Sequence, residues 1–515
     1  MRVFETLLAI LLGASLLSAF ARRLNIPYPA LLAAGGALLA LVPGAPQLDL
    51  PPQLILALFV APVLLDAAYD ASLRDLRRNW APISSLVLVA VGLTTAAVAV
   101  TARLLVPDMP WAAAVALGAL VAPPDAVAAL AVLRQLDPPY RIRMILEGES
   151  LLNDASSLLI YRLAVAAVAA GSFNLIEAAP AFLLVFVGSV LAGWIAAHLL
   201  AMATRRIQDA PSSVIFQFVT TFAVWLLAEH LGLSGVVTVV VLGLTAARRN
   251  VAPTPARLRI PSFAIWETVT TVLNILAFTL IGLELRPILE PLSPTERMQY
   301  LAGAVTILAV VIAVRLLWVL THHGGAALSF RLLRRGAGRQ AMEPPTAKAA
   351  LAIGWSGMRG IVTLAAALAL PEGFPYRSFI LLTAFVVVLG TLMIQGLTLR
   401  PLLLLLRLPK DTVVEQELAL ARKAALKASL TELANDDSPA AERLRAQYIE
   451  AIGRAREGDD PRDTDDNLLR RRAVAAARTA LDDLRSSGVI GDDAYRRAEE
   501  ELDWLELSAR SSDTE

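Results

Sequence analysis

The 515-residue sequence contains no cysteine and only four histidines. The absence of cysteine excludes disulfide bonds, thiolate metal sites and cysteine nucleophiles, and four histidines argue against a histidine-built metal centre. Charged residues make up only 18% of the chain, compared with about 25% in soluble domains. Hydrophobic residues reach 57% and the mean hydropathy is +0.61. The composition therefore argues against a soluble enzyme and favours a protein that lies in a membrane.

The charges that are present divide the chain into two regions. Residues 411–515 hold 16 Lys or Arg and 25 Asp or Glu, whereas residues 1–410 hold only 30 and 20. We therefore predict a transmembrane domain over residues 1–408 and a charged, helical tail over residues 409–515. The basic residues lie in short clusters between apolar runs, which argues against a nucleic-acid partner. The sequence also lacks the phosphate-binding loop of a nucleotide-driven pump.

Thirteen apolar segments approach the length of about 20 residues that a membrane-spanning helix needs. They lie at 3–21, 27–44, 51–69, 82–105, 111–133, 142–170, 177–203, 212–231, 234–247, 262–285, 300–321, 346–370 and 376–405. The predicted fold is thus an all-α polytopic membrane protein. Arginine and lysine are concentrated in alternate connections between these segments, which places those connections in the cytoplasm. The N-terminus is then outside and the tail is cytoplasmic.

The start of the chain has an alternative interpretation as a secretory signal peptide. Arg22 and Arg23 follow the first apolar run directly, which favours a retained helix with its basic end inside.

The fifth segment is interrupted by Pro123 and Pro124, immediately before Asp125. Proline removes a backbone donor and disfavours helix in the residue before it, so we expect the helix to break there. A broken transmembrane helix exposes backbone carbonyls that can bind a small cation. A carboxylate inside a membrane segment is costly and is therefore a functional candidate.

The sixth segment opens with an acidic cluster, EGESLLND at 147–154. Ser150 and Asp154 are four residues apart and share a helix face, while Glu149 and Asn153 share the adjacent face. Carboxylate, hydroxyl and amide oxygens suit a sodium ion or a proton and not a soft metal. The run that follows Asp154 is apolar, so we expect this carboxylate to be buried.

The twelfth segment carries three glycines and an arginine in the sequence GWSGMRG at 354–360. Glycine weakens a helix, so we expect a second break within 346–370. Arg359 needs an acidic partner or water inside a membrane, and Glu149 is the predicted partner. Interrupted segments at matching positions of two halves are typical of inverted-repeat transporters, and the fifth and twelfth segments match if segments 1–6 and 8–13 are the repeats.

Other polar residues inside apolar segments are explained by structural pairing or by an interfacial position. They are Asp66, Arg162, Glu267, Asn274, Glu284 and Arg315.

These motifs resemble those of the electroneutral sodium/proton antiporters of the first monovalent cation:proton antiporter family (NhaP/NHE type). The resemblance covers nearly the whole membrane part and includes FVAPVLLDAA at 59–68 and the acidic cluster at 147–154. The cluster at 147–154 is the most specific match, and its Asn153–Asp154 pair is the mark of the electroneutral branch. GWSGMRG at 354–360 is similar to the arginine-bearing crossover of the family. One departure is PPDA at 123–126, where the family often has Thr-Asp-Pro.

The resemblance implies a secondary transporter and not an enzyme. Asp154 would carry either Na⁺ (or Li⁺) or H⁺, and competition for this one buried aspartate would couple the two fluxes without net charge movement. Asp125, Ser150 and the carbonyl of Pro124 would complete the Na⁺ site. No catalytic residue and no cofactor are expected.

The resemblance further implies a supporting polar network, alternating access and a homodimer. Asn153 would hold the crossover region, and Glu149 would form a buried polar pair with Arg359. A core bundle would move against a dimer-forming scaffold in the plasma (inner) membrane. The expected partners are the cation, the proton, the bilayer and a second copy of the chain.

Two other functions stay open at this point. One is K⁺/H⁺ exchange by the same fold, which the sequence hardly separates from Na⁺/H⁺ exchange. The other is a channel or a non-transporting membrane sensor that signals through its tail. An intramembrane serine protease is disfavoured, because such an enzyme needs a histidine base and no histidine follows Ser356.

Overall fold

A computed structural model of the chain describes residues 2–24, 26–44, 51–133, 136, 138–171, 175–204, 207, 209–249, 256–333, 346–409, 411–457, 465–487 and 489–509. These residues form helices joined by short connections, and no strand occurs among them. The chain divides into two compact units, Met1–Lys410 and Asp411–Glu515.

The first unit contains twenty helices in its described part. In chain order they are α1 Arg2–Arg23, α2 Tyr28–Ala40, α3 Pro52–Ile55, α4 Ala61–Asp70, α5 Leu73–Arg78, α6 Trp80–Ser84, α7 Val91–Leu105, α8 Trp111–Val121, α9 Ala126–Leu133, α10 Tyr140–Ala170, α11 Leu175–Thr204, α12 Ala210–His230, α13 Gly235–Arg249, α14 Ala256–Leu283, α15 Leu285–Leu289, α16 Pro294–Leu333, α17 Ala347–Trp355, α18 Ile361–Leu368, α19 Arg377–Thr391 and α20 Leu397–Leu406. Short π-helical stretches at Leu56–Val60, Ser85–Ala90 and Leu392–Gly396 connect α3 to α4, α6 to α7 and α19 to α20.

All thirteen predicted apolar segments coincide with helices or with pairs of shorter helices. In the described residues, eight helical stretches are long and apolar enough to cross a membrane, and four shorter apolar helices accompany them. The prediction of an all-α polytopic membrane protein is confirmed. The number of thirteen crossings and the inverted repeat stay predictions.

Both expected breaks are present. In the fifth segment α8 ends at Val121 and α9 begins at Ala126, so Pro123 and Pro124 lie in the gap. In the twelfth segment α17 ends at Trp355 and α18 begins at Ile361. Proline in the first gap and glycine in the second explain these interruptions, since neither residue type supports a helix interior.

Local side-chain hydrogen bonds begin several helices. The Ser72 hydroxyl accepts the backbone N–H of Asp75 at the start of α5, and the Asp209 carboxylate accepts that of Ser212 at the start of α12. The Thr346 hydroxyl accepts from Ala349 at the start of α17. Each cap satisfies a backbone donor that the first helical turn leaves free.

Two groups of helices meet along α10, which belongs to the first of them. We call α7, α8, α10, α16, α17, α18 and α19 the core group, because they surround the two breaks. We call α4, α11, α12 and α13 the flanking group, in which α13 packs on both α4 and α11. The two groups meet at an apolar cluster that includes Leu151 of α10, Leu64 of α4 and Val240 of α13.

The second unit is helical and rich in exposed charge. Its described helices are α21 Val413–Glu432, α22 Pro439–Glu457, α23 Asp465–Ser486 and α24 Asp492–Ala509. Ion pairs connect α23 to α24, among them Arg478 with Glu506 at 2.8 Å and Arg485 with Asp492 at 2.9 Å. Such exposed pairs each contribute about 1 kcal/mol or less.

Candidate functional site

The candidate site lies where α10 passes the two helix breaks. α10 carries Glu149, Ser150, Asn153 and Asp154 within two turns. Asn153 is fully buried, and the exposed fraction of Asp154 is 8%; Ser150, one turn before Asp154, is half-buried. The apolar run after Asp154 continues the helix and keeps this carboxylate away from bulk water, as the sequence indicated.

Asn153 connects α10 to the first break. Its side-chain Nδ2 donates a hydrogen bond of 2.8 Å to the carbonyl oxygen of Pro124. This bond directs one of the two lone pairs of the Pro124 carbonyl oxygen to an amide. The same carbonyl was predicted to be a cation ligand. The Oδ1 atom of Asn153 is buried and has no hydrogen-bond partner in the described part of the chain.

Asp125 lies at the contact between the two breaks. Its backbone N–H donates to the carbonyl oxygen of Met358 at 2.6 Å, which joins the first gap to the second. Its Oδ1 accepts the N–H of Val127 at 2.8 Å, as a capping residue does at the start of a helix. Asp125 follows Pro124 and Asp154 follows Asn153, so the hydrogen bond between Asn153 and Pro124 brings the two aspartates to the same crossing.

Gly360 allows this close approach. A Cβ atom on Gly360 would lie 1.7 Å from Oδ2 of Asp125. The second break therefore needs a residue without a side chain where it passes the carboxylate.

Arg359 does not form the ion pair that the sequence predicted, and that prediction is wrong. The guanidinium is fully buried and donates from Nε to the carbonyl of Val121 at 3.0 Å and from Nη2 to the carbonyl of Ala122 at 3.2 Å. These carbonyls end α8, where a helix has unsatisfied acceptors and partial negative charge. The carbonyl groups at the end of α8, and not Glu149, are thus the partners of Arg359.

Glu149 instead pairs with Arg315 of α16. The two side chains form a bidentate pair, with Nη2 of Arg315 2.8 Å from Oε2 of Glu149, and both are almost completely buried. Arg315 also donates to the carbonyls of Gly354 and Ile353, both at 3.2 Å, near the end of α17. The sequence signals Arg315 only as a lone arginine within an apolar segment, so its partner could not be identified.

The two arginines have parallel roles. Arg359 neutralises the carboxyl end of α8, and Arg315 neutralises the carboxyl end of α17. Each half-helix that ends inside the bundle thus receives a cationic donor, which the helix dipole favours.

The structure brings most of the predicted site residues together. Asp125, Pro124, Asn153 and Asp154 meet at the crossing of α10 with the breaks, and Ser150 lies one turn along α10 from Asp154. Among the described residues no group of three or more His, Asp or Glu could hold a metal ion. A few oxygens around one carboxylate pair suit a small monovalent ion or a proton as a transient occupant.

Comparison with known proteins gives consistent matches. The family model described as sodium/hydrogen exchanger, transmembrane, matches residues 7–405. The sodium, potassium, lithium and rubidium/H(+) antiporter of Bacillus pumilus (strain SAFR-032) is 31% identical over 413 residues, which cover 77% of this chain and 60% of that protein. The uncharacterized Na(+)/H(+) exchanger YjcE of Escherichia coli (strain K12) is 30% identical, and the match covers 98% of both chains.

A solved structure supports the same architecture. The sodium proton antiporter MjNhaP1 of Methanocaldococcus jannaschii at pH 8 superposes with a TM-score of 0.57 and 18% identity, over 77% of this chain and 100% of that one. At this identity the likeness concerns the fold alone. The match to the antiporter of Bacillus subtilis (strain 168) spans only 57% of that protein's length, and the match to the Bacillus pumilus protein spans 60%. Both Bacillus relatives therefore contain sequence to which this chain has no aligned counterpart.

Proposed function

The chain belongs to the sodium/hydrogen exchanger family, and from this membership and the geometry of the site we propose that it exchanges Na⁺, or Li⁺, for H⁺ across a membrane. The observation that carries the proposal is the position of Asp154, buried on α10 where Asn153 contacts the first of the two broken helices. A buried carboxylate is costly when it is charged and alone. It therefore takes up either a proton or a small cation.

Competition for Asp154 couples the two fluxes. When Asp154 is protonated, a cation cannot use its oxygens, and when a cation is bound the proton has left. Asp125, the hydroxyl of Ser150 and the carbonyl of Pro124 complete the cation site. Asn153 positions the first break through its hydrogen bond to Pro124.

The proposed exchange is electroneutral. Asn153, which precedes Asp154, is an amide and carries no charge. If Asp154 is the single carrier, one Na⁺ moves in one direction and one H⁺ in the other, so no net charge crosses. The transported ions are the only small molecules that this mechanism needs, and it involves no cofactor.

K⁺/H⁺ exchange is the second candidate. The printed names of the two Bacillus relatives include potassium and rubidium as well as sodium and lithium. In this chain Pro124 stands where the family often has threonine, so a hydroxyl ligand is missing from the first break. With one strong oxygen ligand fewer, the site favours a small ion such as Na⁺ less strongly over K⁺. The selectivity between Na⁺ and K⁺ is therefore a quantity to measure.

We further propose an arrangement for the chain in the cell. It lies in the plasma (inner) membrane as a homodimer, with the N-terminus outside and the tail of residues 409–515 in the cytoplasm. The tail is an accessory unit, so deletion of residues 411–515 leaves exchange intact. Loss of exchange in a folded truncated chain would contradict this assignment.

The first experiment uses the full chain in proteoliposomes with an imposed pH gradient and a pH-sensitive dye. Na⁺, Li⁺, K⁺ and choline are added in turn, first with the membrane voltage held near zero and then displaced. A response to Na⁺ or Li⁺ that does not change with voltage is the expected result. A response to K⁺ alone would identify K⁺ as the substrate in place of Na⁺. If folded protein responds to none of the cations, the function as a membrane sensor is favoured.

A further inference from the structure

A cavity of about 650 Å³ separates α10 from the flanking group. Along α10 its lining begins at Ala155, next to Asp154, and extends to Ala169 near the end of the helix. On the other side it is lined by residues of α12 and α13, including Trp225 and Val236. The cavity therefore runs along α10 from the residue that follows the proposed ion carrier in the chain to the carboxyl end of the helix.

An ion pair crosses this cavity. Nη2 of Arg162, on α10, lies 2.7 Å from both carboxylate oxygens of Glu229, on α12. The other titratable side chains among the described lining residues are those of Tyr161 and His230. Both side chains are partly exposed, at 43% and 33%. The pair is thus accessible to solvent while it lines the cavity.

Glu229 is held by its own group of helices. Its Oε1 also accepts the backbone N–H of Gly235 at 2.9 Å, at the start of α13. Arg162 belongs to the core group and reaches across, with a second hydrogen bond of 3.3 Å to the carbonyl of Leu233. If α10 moves relative to α12, the carboxylate stays in place and the guanidinium leaves.

We propose that Glu229 is an entry site for monovalent cations in this cavity and that Arg162 is a tethered cation which occupies it. The proposal rests on the exchange function above. A carboxylate in an apolar cavity concentrates cations, because the low-dielectric walls focus its field. The bound guanidinium cancels that field. Separation of α10 from the flanking group would expose Glu229 to a cation from solution.

The test measures the field in the cavity with a reagent and does not depend on transport. The chain has no native cysteine, so Ala166→Cys places a single thiol in the cavity lining. The purified full-length protein is modified with a cationic trimethylammonium methanethiosulfonate and with its neutral hydroxyethyl analogue. The ratio of the two rates reports the local potential. The same ratio at Ala428→Cys, on an exposed position of α21, corrects for intrinsic reactivity.

Two substitutions move the ratio in opposite directions. Arg162→Gln frees the carboxylate and is expected to raise the cationic-to-neutral ratio about fivefold, as one unit charge a few ångströms away in water does. Glu229→Gln leaves the guanidinium alone and is expected to lower the ratio by a similar factor. Each variant tests the electrostatic effect of the ion pair by itself. If one of them does not fold, the other still decides.

The matched control is Arg143→Gln. It breaks the exposed pair of Arg143 with Glu147 at the opposite end of α10 and is expected to leave the ratio unchanged. Equal ratios in Arg162→Gln and Arg143→Gln would overturn the proposal. So would failure of both reagents to modify Ala166→Cys in folded protein, because the cavity would then have no connection to water.

A transport measurement separates this proposal from the proposed function. In proteoliposomes Glu229→Gln should raise the cation concentration for half-maximal exchange about fivefold on the side that the end of α10 faces. The value on the other side should not change. If the labelling ratios behave as expected but the unmodified chain exchanges no cation, the entry site stands and the exchange function fails. An unchanged value on that side in Glu229→Gln would overturn the entry site.

Discussion

The side-chain amide of Asn153 donates a hydrogen bond to the carbonyl oxygen of Pro124 across 2.8 Å. Both groups are buried. The residue after Asn153 is Asp154 and the residue after Pro124 is Asp125, so this one bond fixes two carboxylates relative to each other. It also takes up a carbonyl that the broken helix would otherwise leave unsatisfied, which would cost about 1–3 kcal/mol.

Replacement of Asn153 by alanine should therefore lower both stability and the apparent affinity for Na⁺. We expect a loss of about 1–3 kcal/mol in the free energy of unfolding, because the Pro124 carbonyl loses its donor. The measurements are thermal unfolding in detergent and the Na⁺ dependence of exchange. Asn467→Ala, in the tail, is the control and should leave the Na⁺ dependence unchanged. An unaltered Na⁺ dependence in Asn153→Ala would refute the positioning role.

Asp154→Asn should abolish exchange in a protein that still folds. Asparagine has the size of aspartate but can carry neither a proton nor a cation at neutral pH, so the proposed carrier is lost. Exchange is measured by dissipation of a pH gradient in proteoliposomes, and folding by the unfolding temperature. Glu147→Gln, on the same helix but in an exposed ion pair, should retain exchange. Retained exchange in Asp154→Asn would mean that another group carries the ions.

The buried pair of Glu149 with Arg315 should matter far more for stability than a surface pair. Glu149→Gln leaves the Arg315 guanidinium buried without its counter-charge, and we expect a loss of about 3–5 kcal/mol. The double variant Glu149→Gln/Arg315→Met removes both charges and should recover part of that loss. Arg286→Gln breaks the exposed pair with Glu290 and should cost about 1 kcal/mol or less. Equal losses in the free energy of unfolding for Glu149→Gln and Arg286→Gln would contradict the stabilising role of the buried pair.

The sequence predicts the parts of this molecule that depend on local chemistry. Long apolar runs predict the helices, and Pro123 and Pro124 predict the first break, because hydrophobicity and backbone restriction act over a few residues. The same holds for the burial of Asp154, which follows from the apolar run after it.

Long-range pairing could not be predicted in the same way. Arg315 is 166 positions from Glu149, and no spacing rule links them. The prediction paired Glu149 with Arg359 because both are polar and intramembrane. It ignored a competing acceptor, the free carbonyls of Val121 and Ala122 at the end of α8. Those carbonyls become available only because the helix breaks, so their effect depends on the tertiary arrangement.

Gly360→Ala should impair exchange strongly. An added Cβ would overlap Oδ2 of Asp125, so the carboxylate or the second break has to move. Gly360 has a φ of −132°, which alanine adopts without strain, so the effect is one of space alone. Exchange and the unfolding temperature are measured together. Gly92→Ala is the control, since an added Cβ there meets no atom within 4 Å. Normal exchange in Gly360→Ala would show that Asp125 is not confined by the second break.

Asp75 provides a test of pH dependence outside the membrane segments. It is buried on α5 and accepts a hydrogen bond of 2.9 Å from the hydroxyl of Tyr140 at the start of α10. Burial by itself would raise the pKa of Asp75, but hydrogen bonds from Ser72, Tyr140 and Arg74 outweigh it and hold the pKa below its ordinary value of 3.8. Stability from such a group is present above the ordinary pKa and is lost only as the pH falls through the lowered one.

Asp75→Asn should therefore destabilise the protein by the same amount at about pH 5, 7 and 9, because Asp75 is charged throughout that window. We expect about 1–3 kcal/mol, the cost of weakening a charged, buried hydrogen-bond acceptor. The pH profile of exchange should keep its midpoint while the rate falls. Asp209→Asn, which alters an exposed cap of α12, is the control and should cost less. A shifted midpoint in Asp75→Asn would mean that this carboxylate titrates during transport and acts as a pH sensor, which its lowered pKa argues against.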